Sequence, residues 1–300
     1  MKKTLFFSTT NSSHLAAKVR KLAKLTQAKY RLGRFADGEI LFYLDEEVSN
    51  KVCVVLGSTN SPAENFLEML TIINTLKLNH AQKIIAVIPY LGYSRSDRVK
   101  PLQPVNAKLF IKFLEQAGVD KFITMNLHSP LVEKYFTKPN LHLSFMSTFA
   151  DEMSKLHLKD FSTGTPDLGG TDRALEFAHH LKLSDIVVVE KHRPTDDATE
   201  VTKITGDIKG KTIVLVDDMI QTGHTLVNAA IALKKKGAGD IYACATHCVY
   251  QAEGIKLLIR ASLFKHIFIT NTISNNIKLP SYVSILDSSP QIALGIENTL

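Results

Sequence analysis

"VLVDDMIQTGHTL", residues 214–226, is an apolar run that ends in two adjacent carboxylates and then turns through polar residues. The apolar run Ile213–Val216 predicts a buried strand of a parallel sheet, and the spacing after it predicts a helix from Thr222 to Lys236 that stops at Gly237. A strand, a short loop and a helix in this order form most of a βαβ unit, which joins neighbouring parallel strands. The stretch therefore predicts an α/β fold with a polar loop at the carboxyl end of one strand.

The same alternation of strands and helices runs along the rest of the chain. In the first half, "KVCVVLGS", "KIIAVIPYL" and "KFITMNLH" predict strands, with helices over Pro62–Leu78 and Val105–Gln116. In the second half, "IVVVEKH", "KTIVLVDDM", "DIYACATHCVY" and "HIFITNTI" predict strands, with a further helix near Ala252–Arg260. The order of elements matches between Lys51–His128 and Lys211–Ile273, which indicates an internal duplication. Each half is therefore expected to form a mainly parallel sheet flanked by helices.

The length of the chain, 300 residues, also favours two domains. No low-complexity linker separates the halves. The boundary is expected within Ser144–Thr148, and we place the domains at residues 1–146 and 147–300. The final segment, "SPQIALGIENTL", predicts a helix that packs back on the first domain.

The composition is typical of a globular protein with anionic partners. Hydrophobic residues make up 45% and charged residues 22% of the chain, and the formal net charge is +7. Lys and Arg are scattered, with a single run at Lys234–Lys236, so phosphorylated small molecules fit the charge as well as nucleic acid does, and no basic strip with interleaved aromatic residues favours nucleic acid. The amino-terminal apolar run is only Leu5–Phe7, and no segment approaches the roughly 20 apolar residues of a membrane span. We therefore expect a cytoplasmic protein without membrane or nucleic-acid partners.

The three cysteines predict neither a disulfide framework nor a metal site. Their number is odd and their surroundings are apolar, which argues against paired thiols. Alternation along a buried strand would point Cys244, His247 and Cys248 to different faces, so these side chains are not expected to share a metal.

The loop after the strand Ile213–Val216 has the features of an anion site. Ligands of open parallel sheets bind beyond the carboxyl ends of the strands, where Asp217 and Asp218 follow the apolar run. The residues Thr222–Thr225 would open the next helix, and backbone N–H groups together with the helix dipole favour an anion there. The pattern predicts a phosphate in the loop and a sugar diol facing the carboxylates. The alternative is an ordinary helix start that is capped by Thr222 and has two exposed acids beside it.

This loop and a series of further motifs resemble the ribose-phosphate diphosphokinases, or PRPP synthetases. The motifs follow the order and spacing of that family: "RFADGEI", "NFLEMLTIINTL", "AVIPYLGYSRSDR", "NLHS", "TPDLGGTDRA", "EKHR" and "GDIKGKTIVLVDDM". The resemblance implies two tandem type I phosphoribosyltransferase-like domains in a homo-oligomer that is built from dimers, such as a hexamer. It also implies transfer of the diphosphate group of ATP to the C1 hydroxyl of ribose 5-phosphate, which gives 5-phosphoribosyl 1-diphosphate (PRPP) and AMP.

The resemblance assigns an ATP site in the first half. Asp37 and Glu39 flank Gly38 in a turn that can place a carboxylate on a nucleoside, and Arg95 follows a strand end, from which its planar donor group can reach a polyphosphate. An ordinary turn and a solvated arginine are the alternatives that the residues alone leave open. By resemblance, Phe35, Asp37 and Glu39 line the ATP site of a neighbouring subunit. The full ATP-binding set that it implies is Phe35, Asp37, Gly38, Glu39, Arg95, Ser96 and Asp97.

A metal site and a catalytic pair are also implied by the resemblance. His128, at the end of "KFITMNLH", and Asp167, in "TPDLGG", are the implied ligands of Mg²⁺, which takes its other ligands from water and phosphates. A structural histidine is the alternative. Lys191 is the implied catalytic residue, with Arg193 as its partner at the start of a flap that excludes water. Because charge builds up on the ATP oxygens as the C1 oxygen attacks the β-phosphorus, these cations stabilise the transition state more than the ground state. An exposed charged loop is the alternative here.

Four residues depart from the family pattern. Gln221 and His224 stand where the family has an aspartate and a small residue, while Ser96 and Asn126 replace a glutamine and an aspartate. These departures keep open a non-catalytic partner or regulator of a true synthetase. A nucleobase phosphoribosyltransferase is a separate alternative, and the duplicated architecture and "FADGEI" argue against it. The ribose 5-phosphate site implied by the resemblance consists of Asp217, Asp218, Gln221, Thr222, Gly223, His224 and Thr225.

Overall fold

The structure of the chain is a computed structural model. It describes residues 4–192, 200–249, 251–274 and 277–300, but not the side chains of residues 191, 192, 200–202, 251 and 252. The chain divides into two compact units. The first comprises the described residues of Met1–Leu143, Thr272–Ser274 and Ser288–Leu300, and the second those of Ser144–Asn271 and Asn275–Asp287. The assignment of the sequence to domains at 1–146 and 147–300 stays a prediction.

The strands of the described residues are, in chain order, β1 (Leu5–Ser8), β2 (Thr26–Gln27), β3 (Tyr30–Arg34), β4 (Ile40–Leu44), β5 (Val52–Leu56), β6 (Lys83–Ile88), β7 (Lys121–Met125), β8 (Asn140–Leu143), β9 (Phe161–Thr165), β10 (Ile186–His192), β11 (Glu200–Thr205), β12 (Thr212–Ile220), β13 (Ile241–Cys248), β14 (His266–Thr270) and β15 (Val283–Leu286). The helices are α1 (Ser13–Leu22), α2 (Glu64–Leu78), α3 (Asn106–Ala117), α4 (Pro130–Glu133), α5 (Met146–Lys155), α6 (Thr171–His180), α7 (His224–Lys235), α8 (Lys256–Ala261) and α9 (Ser289–Glu297).

The first unit contains a parallel sheet with the strand order β2-β1-β5-β6-β7-β8. The residues of β5 from Cys53 to Leu56 are fully buried, as are those of β6 from Ile84 to Ala86. Burial on both faces of the sheet explains why these strands are continuous apolar runs in the sequence rather than alternating ones. The strands β3 and β4 form an antiparallel hairpin, which is a separate two-stranded sheet.

The carboxyl-terminal helix α9 belongs to the first unit, where it contacts α1, β7 and β8. The helix lies close to the sheet because Gly295 has no side chain: a Cβ at this position would be 3.0 Å from a methyl group of Leu143. The segment that forms α9 was predicted to be helical and to return to the first domain.

The second unit contains a sheet with the strand order β11-β10-β9-β12-β13-β14-β15. All of its neighbouring strands are parallel except β10 and β11, which are antiparallel at the edge. The order β9-β12-β13-β14-β15 repeats the order β1-β5-β6-β7-β8 of the first unit, so the duplicated plan in the sequence is also a duplicated topology. The expected α/β architecture of parallel sheets flanked by helices is confirmed.

Among the strand ends that differ from the predicted ones, two lie at predicted site residues. The strand β12 continues through Asp217 and Asp218 to Ile220, rather than ending before the carboxylates, because β13 is long enough to pair Ile220 with Cys248. The strand β7 ends at Met125, so His128 lies in the following loop rather than at the strand end. The physical reason is Asn126, whose φ of 38° is incompatible with an extended strand.

None of the described helices combines the length and apolar character that crossing a bilayer needs. All three cysteines are free and buried. Burial raises the pKa of the thiols of Cys53 and Cys248 to about 12, so these groups remain protonated near neutral pH.

The buried carboxylate of Glu68 on α2 connects two other parts of the first unit. One of its oxygens accepts the backbone N–H of Thr10 at 2.5 Å, and the other accepts the Thr10 hydroxyl at 3.1 Å. The guanidinium Nη2 of Arg34, at the end of β3, lies 3.7 Å from the second oxygen. Glu68 therefore fixes both the turn before α1 and the end of β3 that leads into the tip of the β3–β4 hairpin.

We predict that Glu68→Ala lowers the free energy of unfolding by about 1–3 kcal/mol, because it removes the buried, charged acceptor of two hydrogen bonds from Thr10. Urea unfolding followed by circular dichroism measures the change. The control is Glu64→Ala, which removes an exposed carboxylate from the same helix and should change the midpoint much less. Equal effects of the two substitutions would contradict the anchoring role of Glu68.

Candidate active site

Two carboxylates and one guanidinium meet at the carboxyl end of β12. Nη1 of Arg173, on α6, is 3.4 Å from Oδ1 of Asp217, and Nη2 is 3.4 Å from Oδ1 of Asp218. The side chains of all three residues are almost fully buried. In addition, the backbone N–H of Asp218 donates to Oδ1 of Asp217 at 2.8 Å. We call these three side chains the carboxylate–arginine cluster.

The cluster has an unusual charge balance. Burial and the neighbouring charge of Asp218 raise the pKa of Asp217 well above its ordinary value, although the guanidinium of Arg173 acts in the opposite direction. A single guanidinium cannot neutralise two carboxylates, so the fully ionised cluster keeps one net negative charge. Such a site favours ligand groups that donate hydrogen bonds, for example the hydroxyls of a sugar.

A glycine-containing turn after β9 brings Asp167 near this cluster. The hydroxyl of Thr165 donates to the Asp167 carbonyl at 2.8 Å, and Asp167 then begins the 3₁₀ turn Leu168–Gly170. A Cβ on Gly170 would lie 2.2 Å from the Thr165 hydroxyl oxygen and 3.2 Å from Nη1 of Arg173, so only glycine allows this approach. The charge of Asp167 also contributes to the raised pKa of Asp217. The adjacent parallel strands β9 and β12 thus place three carboxylates near the carboxyl ends of the strands.

The predicted phosphate loop lies directly after β12. Gly223 has a φ of 83° and is the residue that precedes α7, and no side chain caps the helix there. Thr222 is therefore not the cap, contrary to the alternative considered from the sequence, because the left-handed turn moves the helix start one residue further along the chain. A Cβ on Gly223 would lie 2.5 Å from Cδ1 of Leu258 and 2.7 Å from the carbonyl oxygen of Gly254. The loop is thus packed tightly on the segment before α8.

The remaining predicted residues of the second unit lie on β10 and beyond it. The backbone of Lys191 belongs to β10 and pairs with Val201 of β11 after a shift in register at Glu190. Because β10 neighbours β9 in parallel, Lys191 and Asp167 are near the carboxyl ends of adjacent strands. Arg193 and residues 194–199, where the predicted flap begins, lie outside the described residues.

In the first unit, the tip of the β3–β4 hairpin carries Phe35, Asp37, Gly38 and Glu39. The carboxylate of Asp37 accepts the Glu39 N–H at 3.1 Å, and the Phe35 N–H donates to the Glu39 carbonyl at 2.8 Å. The φ of Gly38 is 93°, which a side chain rarely tolerates. All four residues are exposed, including 46% of Phe35, so the tip presents an aromatic ring and two carboxylates to the outside of its own unit.

The other predicted ATP and metal residues of this unit lie on two neighbouring loops. Arg95, Ser96 and Asp97 follow β6, and His128 follows β7, which pairs with β6 in parallel. Arg95 is exposed, His128 is half-buried and Asp97 is buried. The structure thus brings the Arg95 loop and the His128 loop to the same edge of the sheet.

The described side chains do not form a complete metal site of their own. Among them, no three His, Cys, Asp or Glu residues come together in a way that could hold an ion. His128 and Asp167 belong to different units, so their pairing stays a prediction. Hard cations such as Mg²⁺ keep several waters and bind substrate phosphates, so they need few protein ligands.

Comparison with known proteins identifies the family. Residues 4–118 match the N-terminal domain of ribose phosphate pyrophosphokinase, and residues 188–297 match the phosphoribosyl synthetase-associated domain. The ribose-phosphate pyrophosphokinase of Campylobacter jejuni is 37% identical over 96% of this chain and 93% of its own length. The Bacillus subtilis protein of the same name is 35% identical over 96% of this chain and 90% of its own. The chain belongs to the ribose-phosphate pyrophosphokinase family.

The fold agrees with this membership. The crystal structure of phosphoribosylpyrophosphate synthetase from Mycobacterium smegmatis superimposes with a TM-score of 0.91 at 27% identity, over 99% of each chain. The resemblance that the sequence motifs carry to ribose-phosphate pyrophosphokinases is therefore confirmed. The matched domains include the hairpin tip and the loop after β12, whereas His128, Asp167 and Arg173 lie between them.

Sequence reasoning missed Arg173 as a member of the site. The motif "TPDLGGTDRA" contributes only Asp167 to the predicted site. The missing signal is charge: two adjacent carboxylates on a buried strand need a buried cation, and Arg173 is near the start of the helix that follows the neighbouring strand.

We predict that Gly223→Ala raises the dissociation constant for ribose 5-phosphate roughly tenfold or more, because the added methyl displaces the loop from Leu258 and Gly254. Isothermal titration calorimetry measures the change. Gly210→Ala is a matched control, since Gly210 has a φ of 78° but nothing within 4 Å of an added Cβ. Both variants should lose stability from backbone strain, but only Gly223→Ala should lose affinity. An equal loss of affinity in both would show that the contact is unimportant.

We also predict that Asp217→Asn gains stability relative to the wild type as the pH rises. The pKa of Asp217 is raised in the folded protein. The contribution of this group to the free energy of unfolding is therefore greatest at pH values below its ordinary pKa of 3.8, and it declines as the pH rises until the pH passes the raised pKa. Asparagine imitates the protonated form and lacks this decline, which amounts to about 1.4 kcal/mol per unit of pKa shift. Urea unfolding across this pH range measures the difference. Asp151→Asn, an exposed change on α5, should follow the wild type, and the same behaviour of Asp217→Asn would contradict the prediction.

Proposed function

We propose that the second unit binds ribose 5-phosphate. As a ribose-phosphate pyrophosphokinase, this chain transfers the diphosphate group of ATP to the C1 hydroxyl of that sugar phosphate. The carboxylate–arginine cluster beside the loop after β12 is the observation that supports this assignment. Asp217 and Asp218 accept hydrogen bonds from the sugar hydroxyls. Arg173 keeps the two carboxylates side by side and compensates one of their charges.

The 5-phosphate is assigned to the loop that starts α7. Gly223 turns the backbone so that the helix begins without a side-chain cap, which leaves its amino-terminal end suited to an anion. No acidic residue stands in the first turn of the helix. Gln221, where the family has an aspartate, adds no negative charge beside the phosphate and can still hydrogen-bond a ribose hydroxyl. His224 is the first residue of the helix and adds a further side chain next to the anion.

ATP is assigned to the first unit. Arg95 is exposed at the carboxyl edge of the sheet, from which its guanidinium can bind the polyphosphate. The exposed hairpin tip with Phe35, Asp37 and Glu39 is assigned to the nucleoside of ATP in a neighbouring subunit, so the active protein is a homo-oligomer. A ring and carboxylates that project from their own unit suit contact with a ligand held by another chain.

The chemical step is assigned to Lys191 and Arg193. The C1 oxygen of ribose 5-phosphate attacks the β-phosphorus of ATP, the bond to the α-phosphate oxygen breaks, and AMP leaves. Positive side chains beside the transferring group stabilise the charge that develops on its oxygens. His128 and Asp167 would be the protein ligands of Mg²⁺, which would supply further charge neutralisation to the polyphosphate of ATP. Excluding water from the closed site prevents hydrolysis of ATP.

We predict that the purified protein forms AMP and a new sugar diphosphate ester from ATP, ribose 5-phosphate and Mg²⁺, and that no AMP appears without the sugar. A ³¹P NMR time course measures both products. Lys191→Ala should lower kcat with little change in KM, because it removes an interaction made mainly in the transition state. Asp217→Asn should instead raise KM for ribose 5-phosphate.

The matched control for Lys191→Ala is Lys155→Ala, which removes an exposed lysine from α5 and should leave both constants unchanged. Equal small effects of Lys191→Ala and Asp217→Asn would contradict the two assigned roles. A folded wild-type protein that binds ribose 5-phosphate without forming AMP would instead identify a non-catalytic partner of a true synthetase.

A further inference from the structure

The carboxylate of Asp97 is used inside the first unit rather than offered to a ligand. Asp97 is only 7% exposed, although Arg95 before it and residues 98–104 after it are exposed. The hydroxyl of Ser129 donates to its Oδ2 at 2.5 Å, and the hydroxyl of Tyr135 donates to its backbone carbonyl. A carboxylate that faced ATP would also repel the negative polyphosphate. Asp97 therefore differs in burial and in charge from Arg95, which lies two residues earlier and is exposed.

The loop that contains Asp97 is closed at its base by a second serine. The hydroxyl of Ser96 donates to the carbonyl of Pro104 and accepts the N–H of Asn106 at 3.4 Å. Beyond this closure the loop is open to solvent, with Val99 87% exposed. The base of the loop, which carries Arg95, is therefore fixed by side-chain hydrogen bonds. The hydrogen bonds from Ser129 and Tyr135 to Asp97 connect it to the segment that follows β7.

The His128 loop is fixed on its other side by β8. The N–H of Leu127 donates to Nε2 of His142 at 3.1 Å, and the N–H of Asn126 donates to the carbonyl of Leu143 at 2.9 Å. Ser129, the next residue after His128, is tied to Asp97. The backbone on either side of His128 is thus held, by β8 before it and by the Arg95 loop after it.

We propose that Ser129, through its hydrogen bond to Asp97, positions the exposed Arg95 relative to His128, so that the two side chains bind one nucleotide polyphosphate together. Arg95 is two residues from Asp97, and His128 is adjacent to Ser129, so this bond is a short route between the two loops. The proposal rests on the assignment of ATP to the first unit. It makes Ser129 and Asp97 positioning residues that act on ATP through their neighbours.

The experiment is a double-mutant cycle of Arg95→Ala and His128→Ala, measured with Ser129 present and in the Ser129→Ala background. Calorimetric binding of α,β-methylene-ATP with Mg²⁺ is the readout, and AMP formation from ATP is followed in parallel. With Ser129 present, the two substitutions should be non-additive, because each disturbs one shared contact. In the Ser129→Ala background they should be additive. Ser129→Ala alone should weaken nucleotide binding roughly tenfold, as expected for loss of a hydrogen bond to a charged group.

Matched variants separate positioning from simple loss of stability. Ser129→Thr keeps a hydroxyl and should restore both affinity and coupling, whereas Ser154→Ala removes a hydroxyl that donates to a helix carbonyl at 2.9 Å and should change neither. Tyr135→Phe removes only the second bond to Asp97 and should weaken the coupling in part, which tests the same link if Ser129→Ala does not fold. Unchanged affinity and coupling in Ser129→Ala would overturn the positioning role, and so would the same result in Tyr135→Phe if Ser129→Ala does not fold. AMP formation by the wild type would uphold the reaction in either case. Absence of AMP with the wild type would overturn the proposed function and the inference with it.

Discussion

The burial of two adjacent carboxylates in a parallel sheet is the constraint on which the candidate active site depends. Asp217 and Asp218 lie within β12, where water does not compensate their charges, so a cation must be supplied by the protein. Arg173 supplies it from α6, and the helix can approach only because Gly170 leaves room beside Thr165. The position of α6, the turn after β9 and the raised pKa of Asp217 are consequences of the same requirement.

The two units show how one topology is used in two ways. The strand β5 occupies the same place in its sheet as β12, but the N–H groups of Gly57, Ser58 and Thr59 after it all donate to groups of the first unit. The helix that follows begins with Glu64, which would repel an anion. The loop after β12 instead begins its helix at a left-handed glycine without a side-chain cap. The features that favour an anion therefore come from the loop and not from the duplicated fold.

Within the first unit, small hydroxyl side chains fix the loops that carry charged residues. Ser96 closes the base of the Arg95 loop, and Ser129 joins that loop to the one that carries His128. Both loops follow parallel neighbours in the sheet, β6 and β7, and so start from a rigid edge. A site for a flexible polyphosphate gains from such pre-organisation, because less conformational entropy is lost on binding.

The sequence by itself determined the class of fold, the duplicated order of elements and the family, because apolar runs, helical spacing and ordered motifs are local properties of the chain. It also placed Asp217 and Asp218 near the carboxyl end of a strand, where ligands of open parallel sheets bind. Only the tertiary structure decided that β12 continues through the carboxylates, that Arg173 pairs with them and that Ser129 binds Asp97. Each of these depends on strand pairing or on contacts between residues far apart in the chain, which no local pattern records.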